Sequence, residues 1–433
     1  MRYVSTRDAS KNEITASEAI IIGLAPDGGL YVPCEFPPLQ GFIGKPYEEI
    51  AFEVLSLYLT DFSENELKEY INLAYGKNLP VKISGDYLEL FHGRTAAFKD
   101  VALQLFPYLL TSALRKNNIM KTAVILTATS GDTGSAVLAG MANVSNTKAI
   151  VFYPAGGVSS VQRLQMTTQD GDNVNVFGIK GNFDDAQKAV KEIFADEQFK
   201  AAFSDKYLFT SANSINIGRL LPQIVYYFYA YSEMVQSSKI REGDVANFVV
   251  PTGNFGNILA GYYARKMGLP IHKLICATNS NCVLDDFFKT GIYDSHREFF
   301  TTLSPSMDIL VSSNLERLTF ENVPLDMFDS DFATDAETIQ TIKNIYNQNH
   351  YIIDPHTAVA TFVYEKYKKR TGDEMPTMIL ATASPYKFAE TVESALGNVL
   401  NSAPASIKGL SEKPILHNEV TQDIRETIRG VLQ

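Results

Sequence analysis

The sequence predicts an α/β fold of mostly parallel sheets with helices on both faces, preceded by an added amino-terminal region. Three observations predict it. Short uninterrupted apolar runs alternate with helical patterns, most of those runs end in glycine- or hydroxyl-rich turns that open into a helix, and the first 85 residues lack the alternation. Strands buried on both faces read as continuous apolar runs, and strand–helix–strand units of this length join parallel neighbours.

The first 85 residues hold a DGGLYVP turn and two mainly helical stretches, near 46–60 and 63–75, and form the amino-terminal region. From residue 86 onward the alternation is clear. TAVILTAT (122–129) reads as a buried strand, SGDTG as a turn and SAVLAGMANV as a helix. KAIVFYP (148–154) repeats the scheme, broken at Gly156 and Gly157 before a helix around Val161 to Thr168. NVNVFGIKG (173–181) with FDDAQKAVKEIFAD is a third copy, in which Asp184 or Asp185 is placed to cap the helix and face its positive end. VANFVVPT (245–252), GNFGN and ILAGYYARKMG make a fourth, and KLICATN (273–279) and TMILATAS (377–384) add two strands. Residues from about 285 to 345 interrupt the pattern and read as an insertion within a catalytic unit spanning 86–400, which leaves 401–433 as a carboxyl-terminal tail. Ligands of such sheets sit beyond the carboxyl ends of the strands, where these turns fall.

With 433 residues, 45% apolar and 20% charged, the chain is long enough for two or more packed lobes. A net charge of −11 without a basic patch excludes a footprint for nucleic acid or an anionic membrane. Cys34, Cys276 and Cys282 are too few and too far apart for a disulfide framework, and no CxxC, HExxH or CxxH spacing offers a metal site. No apolar leader and no stretch of about 18 apolar residues occurs, so the expected location is the cytoplasm, with no membrane partner.

Four segments carry chemistry. In LFHGRTAAFKDVALQLF, Lys99 stands at the start of a helix running toward Lys116. The macrodipole disfavours a cation there, and burial beside Phe98 and Val101 would depress its pKa and make the amine nucleophilic toward an aldehyde. Taken alone, a lysine in such a setting is more often a solvated surface group. PTGNFGN (251–257) places two glycines in a strand-to-helix turn whose amides and helix end suit an anion, although such turns also arise because the chain must reverse. It is neither GxxxxGK[ST] nor GxGxxG, which argues against a nucleoside triphosphate or a dinucleotide. ATSGDTG (128–134) brings hydroxyls and Asp132 to the same sheet edge, with an N-cap at Ser130 or Asp132 as the plainer reading. NSINIGRLLPQ (213–223) gathers Asn213, Ser214 and Arg219, which suit a phosphate or a carboxylate. His92 and His356 lie within these interesting stretches, and either reads equally well as a satisfied core histidine.

These segments, in this order, resemble the threonine synthases, members of the fold type II group of pyridoxal-phosphate enzymes. The resemblance spans nearly the whole chain: STRD, DGGLYVP, HGRTAAFKD, ATSGDTG, FYPAGGVSSVQRLQMTT, GNFDDAQ, NSINIGR, PTGNFGN, ATNSN, SSNLERL, IDPHTAV and LATASPYKF. It implies pyridoxal 5'-phosphate as cofactor, with Lys99 as its Schiff-base lysine and catalytic acid–base group, and Gly253, Asn254, Phe255, Gly256 and Asn257 as its phosphate loop. It further implies Asp132 beside the cofactor's 3-hydroxyl, Thr133 facing substrate, Asn213, Ser214 and Arg219 on the substrate's phosphate, and Thr382 at the pyridine nitrogen. The implied reaction converts O-phospho-L-homoserine and water to L-threonine and phosphate, a carbon–oxygen lyase step that ends threonine biosynthesis. A same-fold dehydratase or phospho-amino-acid lyase, or a non-catalytic relative, is the alternative. The sequence departs from the family pattern at Arg94, Ala96, Cys282, Ser384 and Tyr386, and Ser384 competes with Thr382 for the pyridine contact.

Overall fold

The computed structural model describes residues 1–181, 183–397 and 400–433, without the side chain of Asp184, so a helix cap at Asp184 lies outside the described residues. Two sheets organise it. The larger has six strands in the order Phe328–Phe332, Ile271–Thr278, Ala246–Pro251, Thr377–Ala381, Tyr87–Glu89, Lys82–Ser84, parallel throughout except for the closing Lys82–Ser84/Tyr87–Glu89 pair. The smaller has five parallel strands in the order Val420–Thr421, Val174–Ile179, Thr147–Pro154, Thr122–Ala128, Tyr207–Ser211.

Alternation along each strand divides the core. In Thr122–Ala128, Ala123 and Ile125 face one apolar cluster while Val124, Leu126 and Ala128 face another. In Ala246–Pro251, Phe248 and Val250 point to the cluster shared by both lobes, and Val249 points to the opposite face under helix Pro355–Thr371. The shared cluster holds the long helix Ile217–Gln236, and the amino-terminal helices Tyr47–Tyr58 and Glu64–Tyr75 contribute residues to it. Both short helices match the two expected stretches, and the DGGLYVP turn leads into strand Tyr31–Pro33, paired antiparallel with Tyr3–Ser5.

Three departures from expectation have local causes. The helix expected from Lys99 toward Lys116 is two pieces, Lys99–Leu103 and Phe106–Lys116. Pro107 stands at the second start, where it restricts the residue before it. The 285–345 segment holds strand Phe328–Phe332, which extends the larger sheet beside Ile271–Thr278. Residues 401–433 include strand Val420–Thr421 at the edge of the smaller sheet and helix Ile424–Leu432, whose Ile428 and Leu432 are buried.

Candidate active site

Strand ends converge on one cavity, with Lys99, Asp132, Arg219, the Gly253–Asn257 turn, His356 and Thr382 in its wall. Lys99 is the first residue of its helix, and its side chain is 12% exposed. Its Nζ lies 3.2 Å from Asp132 Oδ2 and 4.6 Å from the centre of the Phe98 ring. Burial pushes its pKa down, and the positive charges of Lys387 and Arg219 act in the same direction against the opposing pull of Asp132.

Asp132 opens helix Asp132–Met141 but its side chain caps nothing, and neither does Ser130; Thr129 Oγ1 takes the Gly131 amide and the first-turn Gly134 amide instead. Its carboxylate is turned to the cavity. Oδ1 accepts from Gln162 Nε2 at 2.9 Å and pairs with Lys387 Nζ at 2.9 Å; Oδ2 accepts from Ser306 Oγ at 2.8 Å as well as from Lys99. Burial alone would raise this carboxyl, yet Lys387, Lys99 and His356 overcome it and hold the group well below the usual carboxylate range.

Across the cavity, Phe255 adopts a left-handed backbone (φ +63°), and helix Gly256–Lys266 begins directly after it with no side-chain cap. Its first amides are therefore open to an anion. Asn257 Nδ2, Asn254 Oδ1 and Arg219 Nε are buried atoms without a protein partner. Arg219 is 2% exposed, and burial pushes its pKa down to about 10. Buried polar atoms of this kind are rare unless a ligand or water completes them. The turn itself is held from outside: Asn314 donates from Nδ2 to Asn254 O at 2.9 Å and to Ser214 Oγ at 3.1 Å.

Of the residues the sequence pointed to, Lys99, Asp132, Thr133, Ser214, Arg219, Gly253 to Asn257 and Thr382 share this cavity. Asn213 does not line it: its Nδ2 donates to Ala128 O at 3.1 Å, and it faces an adjoining cavity that also touches Ser214 and Asn254. Ser384 is also off the wall; its amide donates to Ala96 O at 3.0 Å.

The family follows from the whole chain. Residues 87–383 match the pyridoxal-phosphate dependent enzyme family, 2–75 the threonine synthase N terminus and 357–431 the threonine synthase C-terminal family. The chain is 37% identical to threonine synthase of Saccharomyces cerevisiae over 94% of its own length and 93% of that protein. This chain belongs to the threonine synthase family. A solved pyridoxal-phosphate-bound threonine synthase from Brucella melitensis superposes with a TM-score of 0.88 at 35% identity, covering 100% of this chain and 98% of that one. The human protein called threonine synthase-like 1 is 41% identical over 91% of this chain and 60% of its own length.

Within this threonine synthase fold, sequence reasoning missed Lys387, Gln162, Ser306 and Asn314. Each lies in or beside a motif that carries the resemblance or the insertion, but each is assigned by contact alone. His356, open at the sequence level, is placed: its Nε2 accepts the Ser306 amide at 3.1 Å, so Nδ1 carries the proton that it shares with Asp354 Oδ2 at 2.6 Å.

Proposed function

We propose that this chain is a threonine synthase that converts O-phospho-L-homoserine and water to L-threonine and phosphate. The observation that carries the reading is one cavity lined by two anion-seeking features, the uncapped Gly256 helix start and buried Arg219 with its unpartnered Nε, together with a desolvated lysine. A cofactor phosphate and a substrate phosphate need two such features; a dehydratase needs one.

The residues present fit pyridoxal phosphate. Gly253 to Asn257 would hold its phosphate, Lys99 its aldehyde carbon, Asp132 its 3-hydroxyl side and Thr382 its ring nitrogen. Bound there, the cofactor supplies an electron sink for negative charge at the substrate's Cα. Lys99 is the base and acid: burial favours its neutral amine, which takes a proton from Cα and then one from Cβ so that the γ-phosphate can leave, and which returns protons to Cγ and, after water has added at Cβ, to Cα. Arg219, Ser214 and Thr133 hold the charge that grows on the departing γ-phosphate, while Asn213, bonded to Ala128 O, stays outside that group. Water then adds at Cβ.

The substrate is a small molecule, nucleic acid has no place in this acidic chain, and the location is the cytoplasm. No described helix is long and apolar enough to cross a membrane, and all three cysteines are free. The rival reading is a lyase of the same fold that stops after elimination. The deciding experiment supplies O-phosphohomoserine and measures phosphate together with the organic product. Threonine in equal amount to phosphate supports the synthase; 2-oxobutyrate and ammonium support the rival.

A further inference from the structure

Lys387 is the most enclosed lysine of the site, with no exposed surface, and lies on helical turn Pro385–Phe388 just past Thr382. Its Nζ is fixed by two acceptors, Asp132 Oδ1 at 2.9 Å and Thr95 O at 2.8 Å. Thr95 is locked in turn, donating its amide and hydroxyl to buried Asp100 at 2.8 and 2.7 Å. On the other face of Asp132, Lys99 is held by one contact at 3.2 Å and is free to leave.

The asymmetry has an electrostatic consequence. A lysine that binds a cofactor and moves protons gains and loses its charge, whereas a fully buried carboxylate needs a positive partner at all times. We infer that Lys387 is a positioning residue, the constant counter-ion that keeps Asp132 ionised and leaves Lys99 free to be a neutral amine. It rests on the reading of Lys99 as the cofactor lysine. The charged or titratable groups facing Lys99 are Asp132, Lys387, Arg219 and, through Asp132, His356; Asp100 is turned to Thr95 and Lys387. Remove Lys387, and Asp132 holds Lys99 as an ammonium. That change works with Coulombic attraction and against the desolvation of Lys99.

The test measures the amine itself. Cofactor-free protein is labelled with a trace of acetic anhydride across a pH series, and modification at Lys99 is read by mass spectrometry. Lys387→Met moves the Lys99 profile up by about one pH unit, leaving about tenfold less free amine at neutral pH, and Lys387→Arg restores it. Where Lys387→Met does not fold, the pair Asp132→Asn and Asp132→Asn/Lys387→Met reports the same coupling without an unpaired carboxylate, the second titrating higher than the first. An unmoved Lys99 profile in these comparisons overturns the inference. Borohydride reduction of the wild-type holoenzyme and peptide mapping tests the underlying reading separately: a cofactor label on another lysine refutes the Lys99 assignment itself.

Discussion

In the proposed placement of the cofactor, the chemistry at its ring nitrogen turns on one hydroxyl. Thr382 is in the wall and Ser384 is behind it, 3% exposed and tied through its amide to Ala96. A neutral hydroxyl gives little stabilisation to a proton on a pyridine nitrogen, whereas a carboxylate holds one there. Thr382→Asp therefore raises the affinity of the ring nitrogen for its proton by about one pKa unit or more, seen as a nitrogen-15 shift and a changed cofactor absorbance. Ser384→Asp buries an unpaired carboxylate away from the ring and costs about 3 kcal/mol of stability with an unchanged spectrum. The reverse ranking would show the motif to be read two residues out of register. This contact was half legible: the sequence supplied both hydroxyls of LATASPYKF, and only the backbone decides which one faces the ligand. The same holds for Ala96 and Tyr386. As departures from a family pattern they look unrelated, yet they meet in one apolar cluster with Ile407 and Leu410, Ala96 at φ +57°. Contacts between residues so distant in sequence leave no local periodicity to read.

At the level of elements, the Gly253–Asn257 turn proposed to hold phosphate separates what the protein needs from what a ligand needs. A Cβ at Gly256 would meet Asn314 Nδ2 at 3.5 Å and Ser214 Cβ at 3.6 Å, ordinary contacts; at Gly253 it would meet Ser306 O and Ile309 Cδ1 at 3.0 Å. Gly256→Ala should fold with stability within about 1 kcal/mol of the parent and yet lose cofactor affinity by about tenfold on dialysis and titration, because Gly256 carries the first of the helix-start amides proposed to hold the cofactor phosphate. Gly253→Ala should cost about 1–3 kcal/mol in the cofactor-free protein as well. The amino-terminal helices make a second case. Ser63 and Glu66 form a capping box on helix Glu64–Tyr75, and Glu66 also accepts from Ser112 and Lys116 of helix Phe106–Lys116, docking one element on the other. Burial opposes ionisation, but Lys116, Ser63 and Ser112 together push the Glu66 carboxyl down from 4.5 to about 2. A depressed carboxyl contributes stability that is present above its unfolded value and lost as pH falls through the folded one. The unfolding free energy of wild type from denaturant titrations should fall between about pH 4.5 and 2, by about 1–3 kcal/mol more than that of Glu66→Gln. Parallel slopes for the two proteins would remove Glu66 from the docking. The sequence reading placed a helix near 63–75 without using the S-x-x-E spacing that caps it, and the second partner of Glu66 comes from a helix that the sequence merged with the one carrying Lys99.

Across the whole molecule, the strands and their turns were the most legible part, since buried parallel strands announce themselves as apolar runs and chemistry collects at their carboxyl ends. What the sequence could not show is how the interruption near 285–345 becomes part of the site. Arg317, fully buried, donates from Nε to Tyr31 O at 2.9 Å, from Nη2 to Ile215 O at 2.6 Å and from Nη1 to Asn314 Oδ1. Asn314 in turn holds Asn254 and Ser214. One guanidinium thus ties the amino-terminal hairpin, the loop before Arg219 and the phosphate turn into a single frame. Burial pushes its pKa down to about 10, so it stays charged at neutral pH, and its hydrogen bonds go to backbone and amide oxygens with no carboxylate among them. Arg317→Met keeps the apolar volume and strands those carbonyls, which costs about 2–4 kcal/mol in the cofactor-free protein. Because the turn is then held less firmly, cofactor affinity falls too, by about tenfold, on top of the stability loss. Arg317→Lys should rescue little, since a single ammonium lacks the planar fork that reaches three acceptors at once. Urea midpoints measured with and without pyridoxal phosphate separate the two effects: a variant destabilised equally in both conditions would mean that the clamp serves the fold alone, while a larger loss with cofactor present places it in the path from the amino-terminal region to the phosphate turn.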